Sequence, residues 1–253
     1  MIVGIIPARF ASTRLMGKPL ADIGGKPLIQ HTYESASNSK MINKIIIAVD
    51  DEKVEQVCRE FGAEVVMTPK SLATGTDRVA HVINKMENVD IVVNIQGDEP
   101  FISGNMIDLA IEPHLFDKKV EVSTLVKRIE SVVELQSSDV VKVVFDYNNN
   151  ALYFSRSQIP YVRDSISDEN AIENTEIYKH LGLYVFRRES LLKFTKLKST
   201  DLENAEKLEQ LRMLENGFII KIVITELEVI NVDTPEDLKR ARAYYNWLQS
   251  RKK

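Results

Sequence analysis

Cysteine is all but missing from this 253-residue chain. The single Cys58 excludes an intrachain disulfide and leaves no basis for a cysteine-built metal site. It falls within the helix-spaced segment 52–61, where a small core residue is expected. Long apolar runs are missing too. None approaches the ~20 residues that span a bilayer, and the amino end enters a strand with no basic region, apolar stretch and cleavage site in succession. A cytoplasmic protein is expected. The dinucleotide fingerprint G-x-G-x-x-G does not follow the first strand, which disfavours a dehydrogenase. Nor is there a Walker A loop, because Ser12 stands where its first glycine belongs and Pro19 replaces its final hydroxyl. Positive charge is not in excess, with a formal net charge of -4. Beyond the first loop there is no basic patch interleaved with aromatics, so broad nucleic-acid binding is unsupported. Internal repeats, low-complexity tracts and linkers are absent as well.

What is present is an ordinary globular balance, 44% hydrophobic and 28% charged, enough for one large domain or one domain with a subdomain. Strand-like runs recur at 2–6, 44–49, 64–67, 90–96 and 120–127. Segments of helical spacing at 28–37, 52–61 and 77–86 separate them. This βαβ alternation predicts an α/β fold with a mostly parallel, Rossmann-like sheet. From about residue 140 the pattern changes. Residues 140–146, the turn 147–150 and residues 151–155 predict a hairpin, the start of an inserted antiparallel β element at about 140–187. Such an element covers a site or mediates dimerisation. Strands at 181–186 and 219–225 and helices at 202–215 and 235–249 complete the reading, all within a single domain 1–253.

The loop leaving the first strand carries Arg9, Arg14 and Lys18 within ten residues, with the hydroxyls of Ser12 and Thr13. Composition does not explain such concentrated positive charge. Pro7 and Pro19 prevent one continuous helix, and Gly17 frees the backbone beside Lys18. The strand's carboxyl end is where open α/β sheets bind ligands. The expected ligand is a polyphosphate, held by side-chain cations and nearby N–H groups.

Two carboxylates fall at comparable strand ends. Asp98 lies in Gln96-Gly97-Asp98-Glu99-Pro100, where Gly97 permits an unusual turn and Pro100 ends the strand. Asp233 precedes Thr234-Pro235-Glu236-Asp237, whose Thr234 cap, Pro235 start and Asp237 account for a helix start without it. Singly, each is also read as a turn or helix-end carboxylate. Together with a phosphate loop they predict a Mg2+ site, since Mg2+ favours one or two carboxylates plus phosphate oxygens and water. Thr74-Gly75-Thr76-Asp77-Arg78 opens a helix whose free N–H groups suit a nucleotide or serve only as a cap. Arg156, Arg163 and His180 are cationic or hydrogen-bonding groups suited to a substrate carboxylate, or to a surface or interface.

The blocks Pro7-Ala8-Arg9, Gly17-Lys18-Pro19, Gln96 to Pro100, Ala151 to Arg156, His180-Leu181-Gly182, Lys207 to Arg212 and Val232 to Leu238 stand in a fixed order over residues 7–238. In this ordered set the chain resembles the 3-deoxy-manno-octulosonate cytidylyltransferases, the CMP-Kdo synthetases of lipopolysaccharide synthesis. The resemblance implies a nucleotide-diphospho-sugar transferase fold, a homodimer formed through the inserted β element, and the reaction of CTP with Kdo to give CMP-Kdo and pyrophosphate. It implies that Arg9, Ser12, Arg14 and Lys18 hold the CTP phosphates, with Gly75 and Arg78 near the nucleotide. Asp98 and Asp233 would bind Mg2+, with Lys18, Arg14 and Asp98 as catalytic groups. Gln96, Arg156, Arg163, His180, Tyr184, Glu209 and Gln210 would surround the sugar acid. Met16 departs from the proline common in the family before Gly-Lys-Pro, which bears on loop rigidity. The alternatives are a transferase for a related sugar acid, 8-amino-substituted or sialic, and a non-catalytic nucleotide-binding regulator.

Overall fold

The computed structural model describes residues 1–11 and 15–251. Two compact units emerge: Met1–Asp108 with Val229–Lys253, and Leu109–Glu228. The first contains β1 (Ile2–Ala8), a short 3-10 turn at Lys18–Leu20, β2 (Asp22–Ile23), β3 (Lys26–Pro27), α1 (Leu28–Ala36), β4 (Lys44–Val49), α2 (Glu52–Glu60), β5 (Glu64–Met67), α3 (Gly75–Ile83) and β6 (Ile91–Asn94). The helix α4 (Gly104–Phe116) carries the chain into the second unit.

In the first unit β6, β1, β4 and β5 lie side by side, every pair parallel, with Ile5 opposite both Ile46 and Asn94. Val3, Ile5, Ile6, Ile47, Val92 and Val93 are fully buried, as runs covered on both faces must be. Parallel strands end at one edge. Arg9, Asp50, Thr68 and the turn 96–98 therefore follow β1, β4, β5 and β6 there. Helix starts are set locally. Asp51 accepts the Lys53 N–H at α2, and Thr74 with Asp77 forms a capping box at α3.

The second unit continues with β7 (Val122–Arg128), α5 (Val132–Gln136), β8 (Lys142–Phe145), β9 (Ala151–Ser155), α6 (Asp168–Asn174), β10 (Tyr178–Arg187), α7 (Arg188–Phe194), α8 (Asp201–Glu206), α9 (Glu209–Glu215) and β11 (Ile220–Ile224). The β7 strand runs parallel to β11 and antiparallel to β10, while β8 pairs antiparallel with β9 and β10. The expected hairpin is thus present. The return to the first unit is α10 (Pro235–Ser250), started by the Thr234–Asp237 capping box with Pro235 in the first turn, as its sequence predicts.

Two elements differ from expectation. The helix expected over 202–215 is two helices, because Lys207 turns left-handed at φ 54° and Leu208 is extended. Burial of Leu208 under the break rewards that turn. The sequence reading also passes over α4, whose Pro113 obscures the helical spacing of buried Met106, Ile107, Ala110 and Ile111.

Candidate active site

The loop expected to hold phosphate leaves β1 through Phe10. Its N–H donates to Asp50 Oδ1 at 3.0 Å, and its carbonyl accepts the Gly17 N–H at 3.2 Å. Gly17 is left-handed at φ 66°, the conformation glycine tolerates best, and it opens the 3-10 turn that carries Lys18. Arg9 Nη2 donates to the Leu72 carbonyl at 2.8 Å. Ser12 and Arg14, expected as phosphate ligands, lie outside the described residues. Met16 is well exposed.

Lys18 Nζ donates to Asp98 Oδ2 at 2.7 Å and to Asp233 Oδ1 at 2.9 Å. Residues 80 and 215 positions away in sequence thus meet on one ammonium. Three local devices bring them there. A Cβ on Gly97 would stand 2.7 Å from the Pro7 carbonyl oxygen, so only glycine lets this turn lie on the end of β1. Ser35 of α1 donates to the Pro100 carbonyl at 3.2 Å. Finally, the Val232 N–H donates to the Asp98 carbonyl at 2.9 Å, which ties the two acidic segments together. The backbone N–H groups of Asp233 and Thr234 are taken by Asp237, so Asp233 is not spent on capping the helix.

Burial disfavours the charged form of Lys18, yet Asp98 and then Asp233 outweigh it and hold its pKa above the ordinary lysine value. Beside it Glu99 is 1% exposed, and burial followed by the Asp98 charge pushes its carboxyl well above the usual range. The charged form of Glu99 is thus disfavoured next to the cluster, and the carboxylates bonded to Lys18 are those of Asp98 and Asp233.

Gly75 is the first residue of α3, and a Cβ there would touch the Pro7 ring at 3.4 Å. Arg78 is fully buried, with Nη2 at 3.0 Å from Asp50 Oδ2 and Nη1 bonded to Thr68 Oγ1. Burial lowers its pKa against the opposing pull of Asp50, and nearby Arg9 lowers it further. Gln96 is half-buried just beyond β6.

The residues expected around a sugar acid, Gln96 apart, belong to the second unit. His180 and Tyr184 would stand about 13 Å apart on a regular strand, but a register shift between Leu181 and Tyr184 brings their rings to 5.2 Å. Thr124 Oγ1 secures this bulge by donating to the Leu183 carbonyl at 2.7 Å. With that proton used, His180 Nε2 must donate to Thr124 Oγ1 at 2.9 Å, leaving Nδ1 as an acceptor. Burial drives the His180 pKa down to about 3. Of the two characters expected for His180, cationic or hydrogen-bonding, this favours the hydrogen-bonding one.

Tyr184 OH and Gln210 Nε2 are buried without a hydrogen-bond partner. Burial, and then the charge of Glu209, push the Tyr184 phenol well above its usual value. Glu209 and Gln210 sit in the first turn of α9, just after the break at Lys207. Arg156 is engaged within the fold: Nε donates to the Glu206 carbonyl at 2.7 Å and Nη1 to the Ser138 carbonyl at 2.8 Å. Arg163 is exposed in the loop after β9.

Sequence reasoning missed Asp50, Glu99 and Lys142. Fully buried Lys142 gives its ammonium to the carbonyls of Ser137, Val140 and Arg156, each at 2.8 Å. Asp50 had one visible signal, a polar residue closing the apolar run 44–49. A surface helix start accounts equally well for that signal.

Among the described residues no group of three or more His, Cys, Asp and Glu could hold a metal, and no helix is long and apolar enough to cross a membrane. The sequence profile of the cytidylyltransferase family matches residues 3–227. The 3-deoxy-manno-octulosonate cytidylyltransferase of Pelobacter propionicus is 48% identical over 99% of this chain and 99% of its own length. That of Geobacter metallireducens is 50% identical over 94% and 95%. Among solved structures, a CMP:2-keto-3-deoxy-manno-octonic acid synthetase complexed with CTP superposes with a TM-score of 0.90 at 39% identity, covering 97% of this chain and 98% of its own. A parallel sheet edge that gathers a lysine and two aspartates, matched nearly end to end by these relatives, places the chain in the 3-deoxy-manno-octulosonate cytidylyltransferase family.

Proposed function

We infer that the protein transfers CMP from CTP to the anomeric hydroxyl of Kdo, releasing pyrophosphate, in lipopolysaccharide synthesis. The observation that carries this is the meeting of Lys18 with Asp98 and Asp233 at the carboxyl edge of the parallel strands. Two carboxylates already gathered around a cation fit a divalent ion, with the Lys18 ammonium as its stand-in. The donor set also fits, because Mg2+ is content with one or two carboxylates when phosphate oxygens and water complete its shell. Asp98 and Asp233 would hold it. When bound, it supplies charge neutralisation at the α-phosphate and a lower pKa for the attacking hydroxyl.

The chain's own groups do the rest. Arg9 and Lys18 bind the triphosphate, and Lys18 offsets the charge that builds on departing pyrophosphate. In the second unit, Tyr184 OH and Gln210 Nε2 gain partners when sugar hydroxyls enter, and His180 Nδ1 accepts one more. Arg163, exposed in the loop after β9, suits the sugar carboxylate. Arg156 instead supports the loop from which it comes.

The active form is a homodimer assembled through the inserted hairpin, supported by exposed Tyr147 and Leu152 on and beside β8 and β9. The cytoplasm, where CTP is made, is its compartment. The decisive experiment incubates the protein with CTP, Mg2+ and Kdo and follows pyrophosphate. Release that requires all three supports the reading, and CTP binding without release overturns it. A panel including the 8-amino and sialic analogues fixes the sugar, and sedimentation velocity fixes the oligomer.

A further inference from the structure

A backbone N–H partly buried at the root of a loop favours a protein acceptor, and the acceptor decides where the loop starts. At Phe10 that acceptor is Asp50 Oδ1, 3.0 Å away. Asp50 is 7% exposed and follows β4, so its own position is fixed by the sheet. Its other oxygen meets Arg78 Nη2 at 3.0 Å, and Arg78 reaches on to Thr68 Oγ1, which donates to the Val49 carbonyl at 2.7 Å. The circuit joins the ends of β4 and β5, the helix α3 and the loop after β1. Phe10 is held on its other side by the Gly17 N–H, one residue before Lys18. Arg9, one residue earlier, is pinned to Leu72.

A core-strengthening ion pair is the plainer account. It predicts little, because buried ion pairs are often replaceable by apolar residues at no cost to stability. It also leaves unexplained why one carboxylate oxygen is turned from the guanidinium to a loop amide. We propose that Asp50 is a positioning residue for the nucleotide reaction: through the Phe10 N–H it sets the root of the phosphate loop, and Arg78 aims it there. Asp50 touches no substrate and acts through Phe10 on Arg9 and Lys18. The inference rests on reading that loop as the triphosphate grip.

The test compares Asp50→Asn with Asp50→Ala, each combined with Arg78→Met so that neither leaves a buried charge unpaired. Asparagine keeps an oxygen for the Phe10 N–H, and alanine does not. Pyrophosphate-release kinetics should give a KM for CTP up to about tenfold higher for the alanine pair, the loss of one neutral hydrogen bond at a partly buried amide. The KM for the sugar acid should agree within twofold and the unfolding midpoints should coincide. One common KM for CTP, or a parallel rise of both KM values, overturns the proposal. Hydrogen exchange at the Phe10 amide of the natural protein tests it without any variant. Slow exchange with and without CTP is expected, and free-loop exchange without CTP refutes it. A separate Arg9→Ala variant with unchanged KM for CTP would instead remove the triphosphate-grip reading beneath it.

Discussion

Replacing Lys18 with methionine removes the ammonium while keeping an unbranched side chain of similar length. In the natural protein any divalent ion that seeks Asp98 and Asp233 must first displace that ammonium from contacts of 2.7 and 2.9 Å. A charge-assisted hydrogen bond contributes ~1.5–3 kcal/mol when shielded from water. Here the side chains are 16%, 26% and 33% exposed, and solvent screening reduces each contact to about 1 kcal/mol. Two contacts make about 2 kcal/mol, or roughly 30-fold in affinity. Nucleotide-free Lys18→Met should therefore bind Mn2+ about 30-fold tighter than the natural protein, read by electron paramagnetic resonance of free Mn2+. Its kcat should fall steeply, since the charge on pyrophosphate loses its partner. The two parameters move in opposite directions, which generalised misfolding would not produce. Mn2+ binding that is unchanged or weaker in Lys18→Met would refute the view that the lysine holds the metal's place.

Asp98→Asn should lower kcat about 100-fold or more with a small change in the sugar KM, and single-turnover reaction at the natural rate would remove Asp98 from the metal site. Tyr184→Phe deletes a buried hydroxyl that lacks a partner, so the melting temperature should hold or rise while the Kdo KM climbs about fivefold. A drop in melting temperature with unchanged KM would contradict that. Gly97→Ala forces a methyl against the Pro7 carbonyl. Pyrophosphate release should fall at least tenfold as the Asp98 turn lifts, and full activity would show that the close approach is dispensable. His114 is 2% exposed and its pKa is pushed down to about 4 by burial, with Arg187 adding to the effect. Between pH ~6.5 and that value the unfolded chain takes up a proton that the folded one refuses, so stability falls with pH by up to ~1.4 kcal/mol per unit. Urea titrations of His114→Gln should show a flatter decline over that window, and an identical slope would show that His114 already titrates normally.

The parallel strands were legible because each is a short apolar run bounded by turn residues, and burial on both faces demands that pattern. The start of α10 was equally legible, since Thr234, Pro235 and Asp237 encode it within four residues. The approach of Asp98 to Asp233 was readable only as two carboxylates expected at strand ends, and Asp233 in fact follows irregular chain beyond β11 rather than a strand. Its cause, the Val232-to-Asp98 backbone bond, carries no residue signature. Asp50 was hidden for a related reason. A carboxylate at a strand end looks the same whether it caps a helix or holds a loop amide, and only the tertiary position of Phe10 decides. The neutrality of His180 follows from a bulge and from burial, neither of which a single histidine in sequence reveals. The bonds of Arg156 to the Glu206 and Ser138 carbonyls were not legible, because a guanidinium binds backbone carbonyls as readily as carboxylates.

The first unit is built from residues 1–108 and 229–253, with the entire second unit spliced between them. Near Lys18 the late segment is indispensable: Arg242 Nε donates to the Asp22 carbonyl at 2.9 Å, and Val232 and Ala241 share a buried cluster with Ile23 and Leu28. During synthesis, then, the ribosome releases the loop after β1 long before the carboxylate and helix that complete its surroundings. An interrupted chain lacks Asp233 and the α10 support at once, so premature stops in this gene should yield inert fragments rather than enzymes that squander CTP.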